Sequence, residues 1–509
     1  MSLCDNASVG EDSLDQPELR EACGVFGIYA PDRPVAQLTF YGLYALQHRG
    51  QESAGMAVSD GESITVVKDM GLVTNVFDDR TLAPLQGDLA IGHVRYSTTG
   101  ASNWGNAQPV YKSARGAGVA LGHNGNLVNT AELAAESGVL PGTIGSDSEL
   151  VGQLLHAEIV ATRGSLVDAL KAVLPRLEGA FSLVLMDQDH LVGVRDPHGF
   201  RPLCLGRIDG GWVLASESTA LDIVNARFVR ELEPGELIVI DASGIRSMRP
   251  FPVEEVQSKL CLFEFVYFAR PDSQLYGRTI HSARQRMGEL LAEQAPLPVD
   301  TAAVPRPAMV MPVPESGIPA AEGYARASGI PFGHGLVKNR YIGRTFIAPS
   351  QDKRALGVRL KLNPIRENIA GKRLVVVDDS IVRGTTQQAL VAMLREAGAA
   401  EVHLRISSPP YRWPCFFGMD TGAPSELLAA DLTVSEVRDY IGCDTLAYLD
   451  LDRLITATGA SASGFCTACL TGEYPVEVPL RRAPAVVAAA VAPGPPAPLP
   501  EVDLLHPCG

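Results

Sequence analysis

The chain has 509 residues, of which 46% are hydrophobic and 20% charged, more than one hydrophobic core usually organises, so two globular domains with some appended sequence are expected. Its formal net charge of −15 argues against nucleic acid or an anionic membrane as partner, since both call for a concentrated basic face. No apolar run reaches the roughly 20 residues that span a bilayer, the stretch from Ala485 to Ala492 ending at Pro493.

The leader carries Asp5, Glu11, Asp12, Asp15, Glu18 and Glu21 against Arg20 alone. It lacks the basic start and apolar middle of a secretory signal, so a cytoplasmic location is expected. Glutathione keeps cytoplasmic thiols reduced, and the nine cysteines therefore read as metal ligands or nucleophiles. Next come β-type runs at 23–29, 89–98, 119–127, 180–187 and 212–216, with helical periodicity at 146–162 and 165–177. Strands grouped about a helical centre predict sheets packed with helices in layers rather than a βαβ array. The Pro- and charge-rich stretch 241–259 reads as a linker. Beyond 260, helix-like segments at 278–294, 318–328 and 385–397 alternate with apolar runs at 308–313 and 373–379. That alternation predicts a mostly parallel, doubly wound sheet whose ligand lies beyond the carboxyl ends of the strands. The Ala- and Pro-dominated tail is too poor in buriable surface to offset the cost of ordering and is expected to be disordered.

Cys23 opens the first β run directly after the small residue Ala22. Cleavage between them would give a new α-amine, with a reference pKa of about 7.7–8.0, able to act as general base for its own thiol. Amide hydrolysis of glutamine also needs a cation for the α-carboxylate, an anion for the ammonium and donors for the developing oxyanion. Arg95 in IGHVRYSTTG, Asp147 in GSDSE, and Asn124 with Gly125 in LGHNGNL supply these groups. Taken singly, Arg95 equally suits a surface ion pair, Asn124-Gly125 a hairpin turn and Asp147 a helix N-cap.

In the second half, RLVVVDDSIVRGTT at 373–386 places four apolar residues ahead of Asp378 and Asp379, then a turn leading into a helix. Such a turn offers backbone N–H groups to a phosphate, and the carboxylates suit ribose hydroxyls and a hard cation. Lys338, Arg340, Arg344, Lys353, Arg354, Arg359 and Lys361 face only Asp352 in one segment, and such a basic loop can close over a pyrophosphate. Cys466 and Cys469 form a CxxC pair. From spacing alone, zinc, a redox pair or a structural role remain open for it.

Together with LQHRGQESAG at 46–55, the first set of motifs resembles the class II glutamine amidotransferases. The 373–386 string resembles the type I phosphoribosyltransferases. FEFVYFARPDS at 263–273, VPESGIPAA at 313–321 and KNRYIGRTFI at 338–347 are similar to the amidophosphoribosyltransferase family, specifically its iron–sulfur subgroup. The resemblance implies an N-terminal-nucleophile αββα sandwich at 23–255 after a propeptide at 1–22. A type I phosphoribosyltransferase domain at 256–480 and the tail at 481–509 complete the chain. It implies Cys23 as nucleophile, Asn124 and Gly125 as oxyanion hole, and Arg95 and Asp147 as glutamine binders. Lys338, Arg340, Arg344, Ser380, Gly384 and Thr385 would bind phosphoribosyl pyrophosphate. Ser316, Asp378 and Asp379 would hold Mg2+, with Glu315 where the family often has aspartate. Cys261, Cys415, Cys466 and Cys469 would hold a structural 4Fe-4S cluster. The implied reaction gives 5-phosphoribosylamine, pyrophosphate and glutamate, the first step of de novo purine synthesis. A homotetramer inhibited by purine nucleotides is implied as well.

Overall fold

Strand alternation builds the first half. In β1 (Gly24–Tyr29), Phe26 and Ile28 join one buried cluster while Val25 joins another. The computed structural model describes residues 23–96, 102–114, 117–140, 143–339, 360–419 and 424–478. The expected propeptide and tail, and Arg340, Arg344, Lys353, Arg354 and Arg359, lie outside the described residues.

β1 sits inside a seven-stranded sheet with β2 (Ser53–Ser59), β3 (Ile64–Met70), β4 (Leu89–Arg95), β9 (Cys204–Ile208), β10 (Gly211–Ala215) and β11 (Arg227–Glu231), in the order β11-β9-β10-β1-β4-β2-β3. A six-stranded sheet runs β13-β12-β8-β7-β6-β5. Its strands are β5 (Val110–Ala114), β6 (Ala117–Leu127), β7 (Gly179–Met186), β8 (Leu191–Arg195), β12 (Leu237–Asp241) and β13 (Gly244–Met248). Every neighbouring pair in both sheets is antiparallel. Val25, Ile91, Ala120, Val184 and Leu214 meet between the sheets. Helix Val35–Ala45 covers one outer face, and helices Asp147–Thr162 and Leu166–Val173 cover the other. This is the expected αββα layering. The stretch 241–259 is only partly a linker, because β13 pairs with β12 along its length. Gly244 opens that strand, and Pro250 and Pro252 follow it on the way to the second half.

The second half begins with β14 (Leu260–Cys261), which lies parallel to β23 (Phe465–Cys466), and the small hairpin β15 (Gln274–Leu275) with β16 (Arg278–Thr279). Its main sheet holds β17 (Ala308–Pro312), β20 (Arg373–Asp378), β21 (Glu401–Ile406) and β22 (Thr445–Tyr448), all parallel and in that order. A short antiparallel pair, β18 (Leu336–Lys338) and β19 (Leu362–Pro364), stands apart. In β20, Leu374 and Val376 enter one core while Val375 and Val377 enter another, the signature of a strand covered on both faces. Helices Ile280–Gln294 and Ile318–Ser328 pack on one side, and Thr385–Glu396 on the other.

The two halves share one compact unit and meet through buried charges. Arg49 binds Glu217 and Glu264, and Arg201 Nη1 lies 3.3 Å from the same Glu264, all four side chains being fully buried. Burial works against the Arg49 charge, but the two carboxylates outweigh it and hold the guanidinium protonated. Glu217 also accepts from the backbone of Arg270 and from Ser273, tying this network to the second half.

Candidate active site

The alternation that builds the sandwich also selects the side chains at its edge. Val25 faces the space between the sheets, so Cys23, two residues earlier, faces it too; Leu89 and Ile91 put Arg95 on the same side of β4. In β6, Leu121 and Leu127 face the helices while Ala120 faces the sheet opposite, which directs Asn124 inward. Cys23, Arg95, Gly125 and Asp147 line one pocket with Tyr96, Gln108, His123, Ser146 and Ser148, around about 260 Å³ of space partly open to solvent.

Cys23 Sγ exchanges contacts with the Tyr96 backbone, at 3.3 Å to the carbonyl oxygen and 3.5 Å to the N–H. Burial pushes its thiol up to about 11, against the smaller opposing pull of that hydrogen bond and of Arg95. A thiol held there is protonated at neutral pH and needs a local base to become a nucleophile. His123 is otherwise engaged: Nδ1 lies 3.0 Å from Ser148 Oγ, and Nε2 lies 3.3 Å from the Ala180 carbonyl.

Asp147 Oδ2 accepts from Leu127 N–H at 3.1 Å, and Oδ1 accepts from Ser148 N–H at 2.7 Å. It is the first residue of its helix rather than the cap. Ser146 is the cap, its side chain accepting from Glu149 N–H. Gln108 fixes the floor, accepting from His123 N–H at 2.8 Å and donating to Ser148 Oγ at 3.1 Å. Asn124 and Gly125 lie inside β6, not in a hairpin turn. Both polar atoms of the fully buried Asn124 side chain lack a hydrogen-bond partner among the described residues. A buried amide left so costs about 1–3 kcal/mol. Gly125 has φ +151°, and a Cβ there would come within 2.0 Å of the Ala180 oxygen. Sequence reasoning missed Gln108, His123, Ser148 and Glu52, whose charge acts on Cys23. The period-2 alternation of LGHNGNL was the available signal for His123.

At the carboxyl end of β20, Asp378 and Asp379 are both buried. Burial raises the Asp379 carboxyl, against hydrogen bonds from Ser316 and Ser380 and the charge of Arg284. Ser380 Oγ donates to Asp379 at 2.6 Å, and Asp378 accepts from its neighbour's N–H at 2.9 Å and from Gln387 at 3.2 Å. The structure thus brings Ser316, Asp379 and Ser380 together. Gly384 caps the following helix at φ +75°, and Thr385 Oγ1 is buried with no partner among the described residues. Lys338 stands to the side, exposed, 3.8 Å from Glu315.

The four cysteines lie in the second half near the β14–β23 pair. Cys261 and Cys466 are register partners on β14 and β23, and the charges of Cys261, Cys415 and Cys466 all act on Cys469. Burial pushes the Cys261 thiol up to about 11 and raises Cys466 and Cys469 as well. Among the described residues, no three His, Cys, Asp or Glu side chains converge as they would around a single metal ion.

Residues 93–223 match the glutamine amidotransferase domain family, and residues 299–407 match the phosphoribosyl transferase domain family. The amidophosphoribosyltransferase of Mycobacterium tuberculosis is 54% identical over 490 residues, covering 93% of this chain and 89% of the relative. That of Synechococcus elongatus is 49% identical over 482 residues, covering 93% and 95%. A solved glutamine phosphoribosylpyrophosphate amidotransferase from B. subtilis, complexed with ADP and GMP, superposes with a TM-score of 0.80 at 44% identity, covering 90% of this chain and 98% of the other. A fold shared over both halves, with identity this high across nearly the whole length, places the chain in the amidophosphoribosyltransferase family.

Proposed function

We propose that this protein hydrolyses glutamine at Cys23 and transfers the ammonia to phosphoribosyl pyrophosphate, giving 5-phosphoribosylamine, pyrophosphate and glutamate. The observation that carries the reading is the convergence of Cys23, Arg95, Gly125 and Asp147 on one pocket. The α-amine of a processed chain takes the Cys23 proton, and the sulfur attacks the amide carbon. Asn124 Nδ2 and the Gly125 N–H receive the charge on oxygen. Arg95 holds the substrate carboxylate and Asp147 its ammonium.

At the second site the backbone of 380–386 cradles phosphate, and Lys338 with Arg340 and Arg344 approaches the pyrophosphate. Ser316, Asp378 and Asp379 are an all-oxygen set suited to Mg2+, and the raised Asp379 carboxyl is one that a cation would restore to its charged form. The metal would supply charge neutralisation for the leaving pyrophosphate. Cys261, Cys415, Cys466 and Cys469 form an all-thiol set that suits a 4Fe-4S cluster, whose role is structural. The B. subtilis relative carrying ADP and GMP supports inhibition by purine nucleotides, and family membership supports a homotetramer. The acidic composition of the leader supports a cytoplasmic location.

The test is product stoichiometry. Protein supplied with glutamine, phosphoribosyl pyrophosphate and Mg2+ should release glutamate and pyrophosphate in equal amounts, and glutamate without pyrophosphate would overturn the transfer step. The same preparation, purified anaerobically, should contain about four irons and four sulfides per chain. Zinc without sulfide would overturn the cluster. Mass spectrometry should find the active chain beginning at Cys23.

A further inference from the structure

The strand that carries Asn124 and Gly125 is held from outside its own half. Asn126 Nδ2 donates to the Phe416 carbonyl at 3.0 Å. A Cβ added to Gly418, which has φ +101°, would come within 3.2 Å of the Gly125 Cα and carbonyl carbon and 3.1 Å of Arg201 Nη2. Phe417 stacks on Phe200 with ring centroids 4.3 Å apart and planes at 13°, and its carbonyl accepts from Arg201 Nε at 3.0 Å. On its other side, Gly125 abuts the Ala180 carbonyl. The backbone of Gly125 is therefore clamped between β7 and residues 415–418 of the second half. Those residues start at Cys415, whose sulfur accepts from Phe417 N–H at 3.4 Å. Ala180, Phe200, Phe417 and Cys466 form one buried cluster that ties the clamp together.

The geometry points to a positioning role for residues 415–418: this cysteine-bearing turn of the second half sets the Gly125 backbone and so the donor geometry at which glutamine's tetrahedral intermediate is stabilised. The inference rests on the reading of Asn124 and Gly125 as oxyanion donors. Its contacts fall on Gly125 and its neighbour Asn126, whereas the substrate's two ends are held by Arg95 and Asp147. Disturbing the turn therefore weakens the transition state while sparing substrate binding. Donors must lie about 2.7–3.1 Å from the oxyanion, and a misplacement of about 1 Å costs on the order of a hundredfold in rate.

Asn126→Ala removes the hydrogen bond to Phe416, and Gly418→Ala presses a methyl against Gly125. In the full, processed chain both should lower the glutaminase kcat by about ten- to a hundredfold. Affinity for glutamate γ-semialdehyde, an aldehyde that the Cys23 thiol converts to a tetrahedral adduct, should fall by a similar factor. KM for glutamine, affinity for glutamate and ammonia-dependent synthesis should stay within about threefold. Equal loss of glutamate and aldehyde affinity, or an unchanged kcat, would overturn the positioning role. Asn124→Ala, measured alongside, separates the two readings. If that variant keeps its aldehyde affinity, the oxyanion assignment itself fails. If it alone loses affinity, the assignment stands and the clamp falls. Should Gly418→Ala not fold, Asn126→Ala decides the outcome, and its rescue by Asn126→Gln would support the hydrogen bond specifically.

Discussion

The two halves place their reactive groups by opposite rules. In the antiparallel sandwich Cys23, Arg95, Gly125 and Asp147 come from separate elements and line one pocket because long-range pairing brings their strands together: Gly24 lies opposite Val94, and Gly125 opposite Phe181. In the parallel half, one continuous stretch delivers a strand, two carboxylates, a capping glycine and a helix N-terminus in the order a phosphate ester needs them. A site assembled by long-range register depends on everything that holds the sheets together. One assembled along the chain depends chiefly on its own strand and turn. The difference teaches that damage at the joint should reach the glutaminase pocket before the phosphate cradle.

The sharpest break in that comparison is chemical. Cys23→Ala should lower glutamine-dependent synthesis by at least about 10⁴-fold, since a lost nucleophile has no substitute, while leaving ammonia-dependent synthesis nearly intact. Equal loss of both activities in a folded variant would show that the halves are not separable.

Glu264→Ala attacks the joint instead. It leaves Arg49 with Glu217 alone and takes from the buried Arg201 its carboxylate, and a broken buried pair costs about 3–5 kcal/mol, so the denaturation midpoint should fall. At temperatures where the variant stays folded, glutaminase activity should suffer more than ammonia-dependent synthesis. The reverse order would contradict the contrast between the halves. A smaller and purely local effect is expected of Asn124→Ala: about 10²–10³-fold in glutaminase kcat with KM little changed, read from initial rates of glutamate release.

This contrast also explains what was legible beforehand. The string at 373–386 could be read from residues alone, because its strand, carboxylates and turn are contiguous, and the structure places Asp379 beside Ser316 and Ser380 accordingly. Sheets packed with helices in layers followed from periodicity, but not every end did: the run expected at 89–98 is strand over Leu89–Arg95, and the helix expected at 165–177 ends at Val173, where Leu174–Arg176 with its Pro175 tightens into a 3₁₀ turn. Cys23, Arg95, Asn124 and Asp147 were each ambiguous singly, and only resemblance to a family grouped them. Register across 73 residues, as between Cys23 and Tyr96, leaves no trace in local pattern. The supports of the site, Gln108, His123 and the 415–418 turn, were invisible for the same reason. Within 241–259 the strand Gly244–Met248 is not legible as such, because a Pro- and charge-rich composition is shared by linkers and by exposed edge hairpins.

The smallest expected effect concerns His93, which tests how far the sandwich depends on a single bridge between its sheets. His93 shares the inner face of β4 with Arg95, and its Nε2 lies 2.9 Å from the His123 carbonyl, one residue before Asn124. A carbonyl only accepts, so Nε2 carries the hydrogen, and the buried Nδ1 has no partner among the described residues. The ring is therefore neutral. Burial is the main cause that lowers its pKa, from 6.5 to about 3. Because the folded-state pKa is depressed, the unfolded chain binds a proton that the folded one refuses once the pH drops below about 6.5. The stability this group contributes is complete above that value and is lost progressively until the folded ring itself titrates near 3. At pH 5 the loss should be about 2 kcal/mol relative to pH 7. His93→Gln keeps a donor for the His123 carbonyl but cannot titrate. Urea denaturation midpoints at pH 7 and pH 5 should then differ less in the variant than in the parent chain. Equal drops in both would mean that acid lability arises elsewhere, and that the bridge holds the sheets without acting as their weak point.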